Sequence, residues 1–331
     1  MKALVYTGPE AMEYRDMPQP NPAQDEEVIR VEHVGICGSD MHAYLGHDER
    51  RPAPLILGHE AAGTVTGGDC DGERVTVNPL VTCGKCPYCI NGRDNLCTER
   101  QIISMPPREG AFSQWLAMPA RNLVVVPDHV SLDKAALAEP IACGWHAVRL
   151  GRRALADTGN TATALVIGGG AIGLGAALSC TAQGIDTVTI VEPNDLRRTF
   201  LRDSCGQHAV APDELSDSDL FDLVIDGVGY EATRASASAH TRPGGVVMHI
   251  GLGSATGGLD IRRMTLQEIT FIGTYTYTGQ DFRDTAAAIF DGRLGALDWI
   301  EPRPLSAGQK AFEDIRSGRV ASPKIMLEPW A

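Results

Sequence analysis

Residues 163–175 read Thr163-Ala-Leu-Val-Ile-Gly168-Gly-Gly170-Ala171-Ile172-Gly173-Leu-Gly175, and the rest of the chain is organised around them. A short apolar run (Leu165, Val166, Ile167) breaks into glycines and resumes as a small-residue helix pattern over 171–182. In Gly168-x-Gly170-x-x-Gly173 the first glycine permits a tight turn and the second lets backbone approach a pyrophosphate. The third allows close packing of helix on strand. The helix start, Ala171 and Ile172, then offers free N–H groups to phosphate charge. A second strand over 187–191 ends in Glu192, 19 residues past Gly173, near the distance at which an acidic side chain meets a ribose hydroxyl. A glycine-rich loop by itself is only a loop. The strand, the helix and the acidic residue make it a dinucleotide site.

Working outward, strands over 164–168, 187–191, 222–226 and 245–250 alternate with helical stretches, which implies right-handed crossovers and a parallel sheet. Residues 1–35 alternate apolar and polar, as in Val28-Ile-Arg-Val-Glu-His-Val34, and read as antiparallel strands. A helix pattern runs from about 132 to 149. Helices over 281–291 and 306–317 and a strand over 324–327 close the chain. The expected fold is α/β: a doubly wound parallel sheet over 151–274 and a mostly antiparallel β domain over 1–150, to which 275–331 return.

The 331 residues suit about two domains. Apolar content of 43% and charge of 21% describe a globular chain with ample core. A net charge of −13 argues against nucleic acid or an anionic membrane as partner. The first residues read as an edge strand rather than a secretion signal, and no apolar run approaches the ~18 residues of a membrane span. Nine cysteines, four of them within fifteen residues, fit a reduced, cytoplasmic protein that uses thiolates for metal.

Those four are Cys83-x₂-Cys86-x₂-Cys89-x₇-Cys97, in a polar segment with little apolar content of its own. Four thiolates satisfy a closed tetrahedral zinc site. The nearest rival, an iron–sulfur cluster, places its last cysteine after three residues rather than seven. A site of this kind can supply ~10–16 kcal/mol of apparent binding free energy, enough to hold such a lobe. Elsewhere Cys37, His59, Glu60 and Glu139 each lie at a turn bounded by Gly or Pro. A soft thiolate, an imidazole and a carboxylate make a catalytic zinc set with a position left open. The alternative readings are a packing cysteine, a turn histidine and surface carboxylates.

Gly58-His59-Glu60-x-x-Gly63, the cysteine lobe and the 168–173 glycines occur in this order over essentially the whole chain. Together they resemble the zinc-dependent medium-chain alcohol dehydrogenases. Ala138-Glu139-Pro140-Ile141-Ala142 resembles the polyol (sorbitol) dehydrogenase branch, which carries Glu where ethanol-type enzymes carry Cys. The resemblance implies a GroES-like catalytic domain, two zinc ions per chain, and a homodimer or homotetramer. It implies a catalytic zinc held by Cys37, His59 and a carboxylate from Glu60 or Glu139. Cys143, four residues past Glu139, is a decoy better read as packing near the cofactor. Ser39 and His42 match the family's hydroxyl–histidine proton relay. Their other reading is a helix cap and an exposed histidine. Gly251 and Leu252, with Gly253, match the backbone that approaches the nicotinamide.

Oxidising an alcohol requires loss of the O–H proton before hydride leaves carbon, and a zinc ion lowers that proton's pKa. Glu192 would accept from ribose hydroxyls and repel a 2′-phosphate, so NAD is expected over NADP. Arg198 and Arg197 pull the other way, although Arg197 falls where the family keeps a basic residue at the ribose. The expected activity is hydride transfer between a secondary alcohol, polyol or sugar-derived, and NAD. An L-threonine 3-dehydrogenase-like enzyme and an NADP-dependent secondary alcohol dehydrogenase are the alternatives. A methyltransferase gives no role to Cys37, His59 and the cysteine lobe, and a non-catalytic nucleotide binder gives none to Cys37, Ser39, His59 and Glu139. Tyr44, Met105 and Phe112 are expected to wall the substrate pocket.

Overall fold

The computed structural model describes every residue except 69 and 156–161. Its contacts divide the chain into two units. The first comprises Met1–Glu139, Thr278–Asp291 and Ile300–Ala331, and the second Pro140–Tyr277 and Gly292–Trp299. The division falls at 139/140 rather than at 150 because one helix, Ala138–Ala154, crosses it.

The second unit holds a six-stranded parallel sheet. In chain order its strands are Thr163–Ile167, Thr187–Val191, Ala209–Val210, Phe221–Asp226, Thr241–His249 and Thr270–Gly273. In space the third, second and first precede the fourth, fifth and sixth, the order of a doubly wound dinucleotide fold. The central strand Thr163–Ile167 pairs on both sides and is buried from Ala164 onward, hence its unbroken apolar sequence. The two edge strands escape a reading by pattern. Ala209–Val210 has two residues, and Thr270–Gly273 is largely exposed.

In the first unit a seven-stranded sheet centres on Glu26–Gly35, which pairs antiparallel with Glu60–Val65, Trp115–Pro119 and the C-terminal Lys324–Glu328. That last pairing is how the end of the chain comes back to its beginning. The core of this unit gathers Ile29, Val31, Val34, Leu57, Phe112 and Phe312, all essentially inaccessible. The helix expected from 132 divides into Leu132–Ala135 and Ala138–Ala154. The helix expected over 281–291 is Gly279–Phe290, started by Thr278 and Asp281 in a reciprocal capping box. The final helix is Gly308–Arg316.

Candidate active site and metal centres

Cys37 ends the turn after Glu26–Gly35 and caps the short helix Gly38–Tyr44, while Glu60 opens the neighbouring strand Glu60–Val65 directly after His59. Because Gly35 is paired with Glu60, the two turns are brought side by side. The ligand atoms of Cys37, His59 and Glu60 all lie within 4.8 Å of one another. His59 and Glu60 are buried. Glu60 Oε2 is buried 2.5 Å from the Lys324 ammonium, and its second lone pair remains for a metal. A thiolate, an imidazole and a carboxylate fit zinc and leave room in its coordination. Glu139, in the first turn of Ala138–Ala154 and 5% exposed, lies outside this set of ligand atoms.

Four further residues, outside the sequence motifs' ligand set, organise the site. Asp40 is fully buried, accepts from the N–H groups of Cys37 (3.0 Å) and Gly58 (3.2 Å), and places Oδ1 3.4 Å from His59 Nδ1. Ser104 Oγ lies 3.4 Å from the same Nδ1. With Nδ1 engaged there, Nε2 is the atom left for a metal, the usual way a second carboxylate fixes a ligating imidazole. Burial pushes the Asp40 carboxyl up, but His59, Arg51 and the Cys37 N–H outweigh it and hold it below its ordinary value. Burial likewise disfavours a charged His59, and Asp40 with Cys37 overcomes this, so the imidazole holds a proton well above 6.5.

Arg51, 3% exposed, donates to the Ser104 carbonyl (3.0 Å), the Ser39 carbonyl (3.1 Å) and the Asp48 carboxylate (2.8 Å). Its Nη2 reaches the Ser39 hydroxyl at 3.5 Å, and that hydroxyl stands 3.5 Å from His59 Nε2. Ser39 is thus at the metal set, while His42 sits half-buried in the last turn of the same helix. The fourth residue is Lys324, 3% exposed at the start of the C-terminal strand. Its Nζ donates to Glu60 Oε1 (2.6 Å) and the Ile36 carbonyl (2.8 Å), with Glu60 Oε2 at 2.5 Å. Burial alone would pull this ammonium down; Glu60, then Cys37 and Glu139, raise it above the ordinary lysine value.

Two expected pocket walls are core. Tyr44 stacks on Phe312 at 4.9 Å and Phe112 meets it edge-on at 6.1 Å, and both are essentially inaccessible. Apolar burial has claimed them. Met105 is half-buried.

The cysteine lobe forms a second set, with all four Sγ atoms within 4.8 Å. Cys86 Sγ and Cys83 Sγ lie 3.5 Å and 3.9 Å from Cys89 Sγ, around the ~3.8 Å edge of a tetrahedron with ~2.3 Å zinc–sulfur bonds. The N–H groups of Cys83 and Cys86 point at Cys97 Sγ and Cys83 Sγ, each at 3.4 Å. Cys86 caps the short helix Pro87–Ile90, and the Cys89 N–H beside it draws its thiol down to about 6. Cys89 is pushed up to about 12, first by burial and then by Cys86.

In the second unit Gly168 adopts φ +97°, and a Cβ on Gly173 would fall 1.7 Å from the Gly168 carbonyl oxygen, so only glycine closes this turn. Gly170 caps the helix Ala171–Ala182 and faces open space; Ala171 and Ile172 are its half-buried first residues. Glu192, 6% exposed, accepts from Gly169 N–H and Asn194 N–H, both at 2.8 Å. Arg197 lies half-buried on the helix Asp195–Asp203, its N–H on the Asn194 cap. Arg198 is committed to the Glu192 and Pro193 carbonyls and to Asp195. Gly251 is buried and Leu252 is 74% exposed.

Residues 23–128 match the alcohol dehydrogenase GroES-like domain and residues 171–291 the zinc-binding dehydrogenase family. Sorbitol dehydrogenase of Bacillus subtilis (strain 168) is 32% identical, over 99% of this chain and 97% of that protein. Two solved structures each share 25% identity over 99% of this chain. One, covered to 99%, is described as a zinc-binding dehydrogenase from Sinorhizobium meliloti 1021 bound to NADP, TM-score 0.88. The other, covered to 97%, is acetophenone reductase from Geotrichum candidum NBRC 4597 with NAD, TM-score 0.87. On these matches the chain belongs to the zinc-dependent medium-chain alcohol and polyol dehydrogenases.

Proposed function

We propose that this oxidoreductase oxidises the CH–OH group of a polyol or sugar-derived secondary alcohol with NAD, using one catalytic and one structural zinc per chain. The observation that carries the reading is the convergence of the Cys37, His59 and Glu60 ligand atoms within 4.8 Å of one another at a largely buried site. Zinc bound there would polarise the alcohol and make its proton easier to remove. Ser39 takes that proton and passes it toward His42, with Arg51 orienting the Ser39 hydroxyl. Asp40 and Ser104 hold His59 so that Nε2 faces the metal. Glu60 is the carboxylate of the set. A thiolate and two carboxylates, Glu60 and Glu139, then balance the ion and Lys324, which gives both acidic residues a role.

At the nucleotide site Gly168, Gly170 and Gly173 with Ala171 and Ile172 receive the pyrophosphate, and Gly251 and Leu252 meet the nicotinamide. Each Glu192 oxygen retains a lone pair beyond its backbone donor for a ribose hydroxyl, and the carboxylate repels a 2′-phosphate. Arg198, spent on carbonyls and Asp195, is not available to such a phosphate, while Arg197 meets the ribose. The unit of Met1–Glu139, Thr278–Asp291 and Ile300–Ala331 is the catalytic domain, holding the 83–97 lobe, and Pro140–Tyr277 with Gly292–Trp299 the cofactor domain. The partner is a small-molecule alcohol rather than nucleic acid or membrane; among the described residues no helix is long and apolar enough to cross a membrane. The protein works in the cytoplasm as a homodimer or homotetramer.

The test is an NAD- and NADP-linked screen over polyols, sugar acids, simple secondary alcohols and L-threonine. Fastest reduction of NAD with a polyol or sugar acid supports the reading. A preference for L-threonine moves the substrate to amino alcohols, and no reduction with any alcohol overturns it.

A further inference from the structure

The residues that dock the nicotinamide in this reading begin a segment poorly able to hold itself in place. Residues 251–258 read Gly-Leu-Gly-Ser-Ala-Thr-Gly-Gly, carry no helix or strand, and are mostly exposed from 252 to 257. Four glycines in eight residues leave a large conformational entropy to overcome. Behind the segment lies an open cavity of about 710 Å³, lined by Leu252, Ser254, His249 and Phe271 among others. Apolar packing therefore contributes little to its position.

Arg234 supplies what packing does not. It lies on the helix Glu231–His240 and is only 5% exposed, a costly place for a guanidinium unless every donor is used. Every donor is used. Nε donates to the Gly257 carbonyl (2.6 Å), and Nη1 to the carbonyls of Gly229 (2.7 Å) and Ser254 (2.9 Å). Nη2 donates to Ser254 Oγ (2.9 Å) and the Thr256 carbonyl. These five acceptors match the five N–H groups of the fork. They also lie on two different loops, those that leave the strands Phe221–Asp226 and Thr241–His249 at the nucleotide-binding end of the sheet.

The two loops touch backbone to backbone. Gly253 N–H donates to the Val228 carbonyl (3.1 Å) and Ser254 N–H to the Gly229 carbonyl (2.9 Å). A Cβ on Gly251 would lie 2.1 Å from the Val228 carbonyl carbon. Asp226, fully buried, braces the first loop by accepting from Val228 N–H, Gly229 N–H and the Thr233 hydroxyl. Residues 251–254 thus carry the backbone crossing, with Gly251 N–H also donating to the Asp226 carbonyl (3.1 Å), and Arg234 ties down 254–257 immediately beyond it.

We infer that Arg234 is a positioning residue for the nicotinamide half of the cofactor, fixing the 251–258 backbone by clamping its far end to the preceding loop. The inference rests on the reading of Gly251 and Leu252 as cofactor-binding backbone. Its consequence is selective, because the pyrophosphate and adenosine contacts at residues 168–173 and Glu192 do not depend on the clamp.

The experiment compares NADH with ADP-ribose, which lacks the nicotinamide, on wild type, Arg234→Lys and Arg234→Met. Dissociation constants, KM for NAD and for the alcohol, kcat, zinc content and Tm are measured on the full-length protein. Lysine keeps the charge and loses the fork, so it reports even if the methionine variant fails to fold. Both variants should bind NADH about tenfold more weakly, the scale of losing about one net hydrogen bond at the docking face. They should bind ADP-ribose within about twofold of wild type and leave KM for the alcohol and zinc content unchanged. A Tm loss with no change in NADH affinity would make Arg234 merely structural and overturn the inference, as would equal weakening of both ligands. A wild type that binds NADH no more tightly than ADP-ribose would instead remove the role given to Gly251 and Leu252, and a wild type that binds neither would overturn the functional reading itself.

Discussion

Replacing Lys324 by methionine should destabilise the protein far more than an ordinary lysine substitution. The ammonium is 3% exposed and Glu60 is fully buried, with Nζ 2.6 Å from Oε1 and 2.8 Å from the Ile36 carbonyl. An exposed lysine pair contributes ~0–1 kcal/mol. Here the change strands a carboxylate and a carbonyl in the interior, and breaking a buried pair in this way costs ~3–5 kcal/mol. At ~2–4 °C per kcal/mol for a protein with domains of this size, Tm should fall by ~6–20 °C. The assay is calorimetry of Lys324→Met and Lys324→Arg, each with zinc and after chelation. Chelation should place Lys324→Met at the larger end of the range, because Glu60 then faces no cation at all. Arginine retains the charge and should recover most of the loss. A Lys324→Met protein that melts within ~2 °C of wild type under both conditions would refute the claim that Glu60 depends on this lysine.

Two further outcomes are expected. Glu192→Ala should weaken NAD and raise the relative preference for NADP, measured as the ratio of kcat/KM values; a wild type that already prefers NADP would contradict the role of Glu192. In chelated protein the raised His59 proton affinity contributes stability that is complete below 6.5 and lost as pH climbs through the raised value. Zinc must displace that proton, so its affinity tightens with pH. The rise in Tm on adding zinc should therefore grow from pH 6.5 to 8.5, and a rise independent of pH would oppose this account.

Much of this was legible because it depends on local chemistry. Gly173 has to be glycine for a steric reason that its spacing already announces, and four cysteines in fifteen residues leave little but a metal to account for them. The central strands of the parallel sheet read clearly because burial on both faces makes them continuously apolar. Other features depend on where distant segments meet. Lys324 looks like the exposed start of a short C-terminal strand until that strand pairs with Glu26–Gly35 and carries it to Glu60. Asp40 sits inside the Cys37–His42 stretch, yet its role follows only from the approach of His59. Arg51 gave no local signal, since its partners are backbone carbonyls and a carboxylate gathered by the fold. Tyr44 and Phe112 were misread as pocket walls because residues near a site in sequence are as readily taken by the core. Glu60 and Glu139 stayed equivalent in the sequence. The structure gathers Glu60 with the other ligand atoms and leaves Glu139 outside that set.

In the proposed function Cys37, His59 and Glu60 hold a catalytic zinc separate from the one at the cysteine lobe. This is tested most directly by zinc content and NADH formation at 340 nm for Cys37→Ser against wild type, with a polyol as substrate. Wild type should hold two zinc ions and reduce NAD steadily, and the variant should hold one zinc and form no NADH. A Cys37→Ser protein that keeps two zinc ions and the wild-type rate would contradict it.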